Sequence, residues 1–166
     1  MKINILDLEF SNDHFYIQSN SIVEKVTFNN RTFYSKFKKV TTEISPLLLE
    51  QHYNNELTLA ISLVENNLVN YIVIEYHQED WSTFYSLLKY LFKSLDIFDY
   101  MPYQNFNQNI FQIFIPKSKI SLENAYIEVE SIKHLLELKS KKSYKIYPNN
   151  FLPINQNIIT LPTKKL

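Results

Sequence analysis

In the stretch YIVIEYHQEDW, residues 71–81, a carboxylate and an imidazole stand two positions apart, at Glu75 and His77. If the apolar run is a strand, residues i and i+2 point to one face, and both side chains look out together from its end. A Glu-x-His pair can hold a metal ion. Its carboxylate is a hard oxygen ligand, whereas neutral imidazole suits zinc, iron or manganese better than magnesium. The same pair can be solvated, hydrogen-bonded to itself, or in polar contact with a partner. Gln78, Glu79 and Asp80 continue the polar cluster, and acids at the entrance of a helix cap it and complement its dipole. His14, His52 and His134 are scattered along the chain, and spacing alone builds no Ser/His/Asp set.

Composition narrows the chemistry further. Cysteine is absent, which excludes disulfides, thiolate zinc sites and cysteine nucleophiles. Glycine is absent from all 166 positions, against an average of roughly 7%, so no glycine-rich phosphate loop exists. Turns that need positive φ fall to Asn or Asp, which tolerate the left-handed region best after glycine. Net charge is zero, from 17 basic and 17 acidic residues, whereas a general nucleic-acid binder is usually basic. Any such binding therefore needs a local patch. Arg31 is the only arginine, so the bidentate phosphate fork is scarce. Lys139, Lys141, Lys142 and Lys145 form one lysine cluster, and Lys117 and Lys119 another, with tyrosine and phenylalanine between them. Aromatic and lysine surfaces bind single strands by stacking and phosphate contact, although lysines at the end of a helix also serve its dipole.

The elements that must position these groups follow from pattern. Short strands are predicted over 2–10, 14–18, 22–28 and 32–37, with Asn/Ser turns between them. Ser45 and Pro46 open a short helix over 45–54. Runs at 57–64 and 69–76, joined by a polar turn at 65–67, read as a hairpin. From 80 to 95 the apolar positions Trp81, Phe84, Tyr85, Leu88, Leu91, Phe92 and Leu95 give one helical stripe. Strands are predicted at 97–103 and 110–115. A second helix spans 121–138, capped by Ser121, with Ile127, Leu135 and Leu138 in its apolar face, and short apolar pieces follow at 144–147 and 157–161. The expected class is α+β: a mixed or antiparallel sheet with helices on one face and a small N-terminal β region. The length suits one domain over 1–166, with a β-rich portion at 1–40 and an α+β core at 41–166. No apolar run approaches the ~20 residues of a membrane span, and Asp7 and Glu9 interrupt the N-terminal MKINILDLEF, which does not read as a signal peptide. A cytoplasmic location is expected.

Several pieces in order carry a resemblance. SPLLLEQHY places His52 at the end of a leucine-rich helix; the run from Leu57 to Trp81 supplies a hairpin ending Glu75-Tyr76-His77; FNQNIF at 106–111 precedes QIFIP; and YPNNFLPINQNIITLP closes the series. Together they resemble the archaeo-eukaryotic primase–polymerase superfamily, closest to the primase-like domain of bacterial and phage conflict modules. Members carry a His-Leu helix end, a hairpin ending Asp-Phe-Asp, a helix-opening tryptophan and a Ser-Gly-x-Gly-x-His loop. A Phe-Pro-Asn-type motif, a Leu-Pro and an Asn-Leu-Ile-x-Leu-Pro strand follow. Here Glu75 and His77 stand at the metal-binding aspartates, Trp81 at the tryptophan, and Phe106, Asn107, Asn109 and Phe111 at the loop. Tyr147, Pro148 and Asn149 match the next motif, Leu152 and Pro153 the Leu-Pro, and residues 157–162 the last. The resemblance covers about residues 31–162.

It implies an RRM-like core and two-metal nucleotidyl transfer, with degenerate motifs. Both aspartates are replaced, which removes one negative charge from the pair. Phe111 can neither ligate nor hydrogen-bond a phosphate, and Asn107 and Asn109 put a Cβ where glycine lets backbone approach a ligand. The expected function is a catalytically inactive primase–polymerase-like domain, a structural or nucleic-acid-handling subunit of a replication or defence complex. Its partners would be an active primase, polymerase or helicase subunit and single-stranded DNA or RNA, with no membrane. The nucleotide or nucleic-acid candidates are Asn107, Asn109, Phe111, Lys142, Lys145 and Asn149. No cofactor is expected, Mg or Mn entering only if activity is retained. A divergent metal enzyme using Glu75 and His77, and an interaction module without a nucleic-acid role, are the alternatives.

Overall fold

The computed structural model describes residues 1–106, 109–140 and 143–166. The chain opens with a hairpin of β1 (Lys2–Ile5) and β2 (Leu8–Ser11), turned by Leu6 and Asp7, and continues into β3 (Phe15–Gln18). A second hairpin, β4 (Glu24–Phe28) and β5 (Arg31–Ser35), turns at Asn29 and Asn30, and β6 (Phe37–Val40) returns to pair with β3. Then come α1 (Pro46–Tyr53), β7 (Leu59–Ser62), β8 (Val64–Glu65), β9 (Leu68–Tyr76), α2 (Trp81–Ser94), β10 (Met101–Asn105), β11 (Ile110–Ser121) and α3 (Leu122–Lys139). The tail holds β12 (Tyr144–Tyr147), a 3₁₀ turn (Ile154–Gln156), β13 (Ile158–Thr160) and β14 (Lys164–Lys165).

Local rules account for most boundaries. The Ser45 hydroxyl accepts from the Leu48 amide and the Ser121 hydroxyl from the Asn124 amide, so both predicted caps form. Ten described residues have φ between 50° and 69°, and eight of them are Asn or Asp. Two-residue hairpin loops need positive φ at both central positions to match strand twist. Asn29–Asn30 and Asn66–Asn67 supply it without glycine.

The architecture is α+β, and every strand pair described is antiparallel. The main sheet has the order β12-β9-β11-β10-β14. Within it β9-α2-β10-β11-α3-β12 forms a β-α-β-β-α-β unit, whose strands lie in the spatial order fourth, first, third, second. A second sheet has the order β13-β7-β3-β6. It draws strands from both the N-terminal portion and the tail.

The main sheet is covered on both faces. Ile72, Ile74, Tyr76, Phe111, Ile113 and Ile115 pack against Phe84, Leu88, Leu91 and Phe92 of α2 and Val129, Ile132 and Leu136 of α3. The alternate residues Tyr71, Val73, Tyr103 and Phe114 pack with Ile5, Leu8, Phe10, Phe15, Leu59, Ile61 and Ile159 on the other side. Two tyrosines tie the first hairpin down: Tyr103 donates to the Leu6 carbonyl at 2.7 Å, and Tyr71 accepts from the Glu9 amide at 2.9 Å.

Three expectations need correction. The stretch 2–10 is not one strand but a hairpin, because Leu6 and Asp7 both enter the left-handed region. The 57–64 and 69–76 runs do not form one long hairpin. Only Val64 and Glu65 pair with β9, and β7 crosses to the second sheet. β12 pairs with the far end of that β9 edge, from Val73 to Tyr76, and the Ser62 hydroxyl, bonded to the Val64 amide and carbonyl, makes the corner. The third concerns α3. Ile127 and Leu138 are exposed, while Leu122, Ala125, Val129, Ile132 and Leu136 face the sheet. The buried five recur at 3- and 4-residue spacing and so share one helical face, which Ile127 and Leu138 fall outside.

His52 joins three segments. Its buried ring accepts the Leu59 amide at Nδ1 (3.1 Å) and, through Nε2, donates to the Leu161 carbonyl at 3.0 Å. The two bonds fix the neutral tautomer, and burial lowers its pKa below 6.5. The unfolded chain therefore binds a proton that the folded chain resists. Stability is full above pH 6.5 and declines as pH falls below it. His52→Leu is expected to cost about 3 kcal/mol through the two abandoned backbone groups and to lessen that acid-side decline. Urea unfolding of both proteins at pH 7.5 and 5.5 measures both effects.

Candidate functional site

Strand alternation decides where the Glu-x-His pair goes. Ile72, Ile74 and Tyr76 face the helices, so Glu75 faces the second sheet. It is 5% exposed. Gln112 lies opposite it on β11 and Lys145 opposite it on β12, and directly opposed residues share a face. Gln112 Nε2 donates to Glu75 Oε2 at 2.8 Å and to the Thr160 carbonyl on β13 at 2.9 Å. Thr160 Oγ1 accepts from Asn105 Nδ2 at 3.1 Å, which also reaches the Leu161 carbonyl at 2.9 Å. A polar chain thus stitches one end of the main sheet to the second sheet. Gln112 Oε1 is buried with no hydrogen-bond partner among the described residues.

Electrostatics follow from this burial. Desolvation raises the Glu75 pKa above 4.5, opposed by the Gln112 hydrogen bond and Lys145. His77 Nε2 stands 3.9 Å from Glu75 Oε1 at the more open end. Burial and Lys145 lower its pKa below 6.5. Both shifts favour neutral forms, so the pair is a loose polar contact and not a strong ion pair. Tyr147, beside them, has its pKa raised by burial and by Glu75. Among the described residues no three His, Asp or Glu side chains gather as one metal ion would require.

Phe111 sits on the opposite face of the sheet, against the helices. It pairs with Tyr76, is 2% exposed, stacks on Trp81 at 5.1 Å and meets the Tyr85 ring at a tilt at 5.3 Å. Its burial places it in the core, where a nucleotide does not reach it, and corrects its candidacy as a nucleotide contact. Asp80 at the head of α2 makes no side-chain cap bond to the helix and accepts the Tyr76 hydroxyl at 2.6 Å. Asn109 is exposed and takes φ 54° just before β11. Asn107 and Lys142 lie outside the described residues.

Lys145 and Asn149 are brought together. Both line a cleft of about 300 Å³ between α3 and the loop after β12, with Tyr126, Lys133, Tyr144 and Phe151. Asn149 also has a structural task. Its amide donates to Asn157 Oδ1 at 2.6 Å, and its own Oδ1 accepts the Phe151 amide at 2.9 Å. Lys133 lies over the Phe151 ring at 5.5 Å. At the far end of β9 a smaller cleft of about 190 Å³ is lined by Lys2, Glu9, His14, Glu65, Asn70 and Lys119.

Residues 1–70 are similar to a family described as a domain of unknown function (DUF1882). That segment takes in the first three strands of the second sheet and stops before Glu75, α2 and α3. No curated protein matches the chain. Gln112, Asn105 and Thr160 escaped the sequence reading. Gln112 carried a signal, as the one polar residue in the run Ile110–Ile115, because a polar residue inside a buried strand must find a partner.

Two outcomes test this geometry. Glu75 has a raised folded pKa, so its contribution to stability is fully present below pH 4.5 and is lost as pH rises. Glu75→Gln keeps an acceptor for Gln112 and is expected to unfold at higher urea than the parent at pH 8, with little difference at pH 4.5. Phe111→Ala is expected to cost about 3–5 kcal/mol as a core truncation, measured by the same titration at pH 7.

Proposed function

We propose that the chain is a catalytically inactive primase–polymerase-like domain that serves as a structural or nucleic-acid-handling subunit beside an active primase, polymerase or helicase. The β-α-β-β-α-β unit, a split β-α-β arrangement, supports the reading, since the resemblance implies an RRM-like core. The observation that carries the reading is Glu75. At the position matched to the first metal-binding aspartate, it is buried against Gln112 and covered by the Thr160 strand. A two-metal centre needs carboxylates open to the triphosphate and to metal-bound water. Phe111, at the position matched to the loop histidine, points to the other side of the sheet. The two halves of the expected site are thus separated by the sheet itself.

The aromatic and lysine cleft holding Lys145 and Asn149 supports the nucleic-acid-handling part of the reading, since such surfaces contact single strands without chemistry. The rival reading, a divergent metal enzyme, needs a third ligand beside Glu75 and His77, and nothing in the described geometry favours it. No helix among the described residues is long and apolar enough to cross a membrane.

Primer synthesis and extension separate these readings. With Mg²⁺ or Mn²⁺, a template and all nucleotides, the purified chain is expected to incorporate nothing above the no-protein control. Incorporation that disappears in Glu75→Ala would overturn the proposal.

A further inference from the structure

The hairpin of β4 and β5 stands apart from both cores. Its apolar residues Val26, Phe28 and Phe33 belong to none of the hydrophobic clusters, and are half-buried. An isolated two-stranded hairpin is marginal in water. This one is anchored at its base, by the Ser19 amide on the Lys36 carbonyl (2.6 Å) and the Val23 amide on the Ser35 carbonyl (2.9 Å). Beyond the base, five residues per strand at ~3.4 Å each give a ribbon roughly 17 Å long.

Charge sets the ribbon apart as well. Between Asp13 and Glu43 the chain carries Lys25, Arg31, Lys36, Lys38 and Lys39 against Glu24 alone. From 17 of each sign, this leaves 12 basic and 16 acidic residues elsewhere. A chain with no net charge is therefore polarised, with four positive charges on this hairpin and its root. All five cations are exposed. Lys2, Lys117 and Lys165 pair with Glu9, Glu128 and Asp7, but none of these five forms an ion pair among the described residues. Lys139, in the last turn of α3, can be assigned to that helix's dipole, whereas strands have no comparable dipole to serve.

The two faces of the ribbon differ. Lys25 lies opposite Tyr34 and Thr27 opposite Thr32, and all four are exposed, making one polar face of hydrogen-bonding groups. Val26 opposite Phe33 and Phe28 opposite Arg31 make the other, with the guanidinium 5.9 Å from the Phe33 ring. Arg31, the only arginine of the chain, stands beside the Asn29–Asn30 tip.

We propose that residues 22–40 form a DNA-binding arm, whose exposed cations contact the phosphate backbone of a duplex while the polar ribbon face lies in the major groove. That groove is about 12 Å wide and admits a two-stranded ribbon, whereas the major groove of A-form RNA is too narrow. A single strand would call for a series of exposed stacking rings, and on this ribbon Tyr34 alone stands clear, at 59% exposure. The arm is far in sequence from Glu75, and its role does not depend on the ancestry of the core.

Fluorescence anisotropy with a labelled duplex, and with one of its strands alone, tests the assignment. The whole chain is expected to bind the duplex at about 50 mM salt, with log affinity falling against log salt at a slope of about 3 to 4. Lys25→Glu with Arg31→Glu should weaken binding roughly tenfold or more and lower the slope by about two. Lys89→Glu with Lys93→Glu, on the exposed side of α2, is the charge-matched control and should retain the parent slope. Thermal melts confirm that both variants fold, and sedimentation gives the oligomeric state. No duplex binding, tighter binding of the single strand, equal losses in the control, or an arm variant that dissociates a dimer would each overturn the proposal, the last by making the arm a contact between copies.

Discussion

From Tyr71 to Tyr76, strand β9 is buried on both sides, and the rest of the molecule is arranged around that condition. One side chain in two goes to the helices and the next to the second sheet. Hydrophobic residues satisfy both layers at five of the six positions. Glu75 does not, and its burial demands partners. Gln112 provides a donor, and because its amide also needs an acceptor it engages the Thr160 carbonyl of β13. The polar chain continues through Asn105 to the Leu161 carbonyl, which His52 also reaches. Burial of one carboxylate thus helps bind a main-sheet strand, the tail and α1 into one end of the fold. An unpaired buried polar group costs more than a paired one returns, so such a chain fixes the register of its strands.

The lack of glycine is the second constraint. Tight turns still require positive φ, and the sequence meets that need with asparagine and aspartate. Asn29–Asn30 and Asn66–Asn67 shape two hairpin tips, Asp7 shares a third with Leu6, and Asn55, Asp96 and Asn109 serve single positions. Asparagine tolerates this region but still carries a Cβ. Close approach of backbone to a bound phosphate, the other use of glycine, has no substitute. The fold can survive such a composition where a phosphate cradle cannot.

Functionally, the molecule places its polar groups unevenly. The end of β9 expected to hold metal ligands is closed by packing, with Glu75 inside and Phe111 on the far face. Exposed cations and aromatic rings collect elsewhere, on the β4–β5 arm and around the cleft beside α3.

Local chemistry alone settled several features. Ser45 and Ser121 are caps because their hydroxyls satisfy amides within one turn, and the α2 stripe is legible because seven apolar residues repeat at helical spacing. The strand-to-helix order of the core, and the exclusion of cysteine and glycine-loop chemistry, were also fixed there. Long-range pairing decided others. β7 pairs in the second sheet, while β12, about eighty residues later, takes β9 from Val73 to Tyr76. On α3 the buried face follows the 3- and 4-residue spacing of Leu122, Ala125, Val129, Ile132 and Leu136, and Ile127 and Leu138 fall off that stripe. The alternation of β9 could be read from the sequence, but not which of its faces would be closed by a second sheet. That closure turned the Glu-x-His pair from an apparent ligand set into a buried polar joint, because only packing determines whether a carboxylate meets water, metal or an amide.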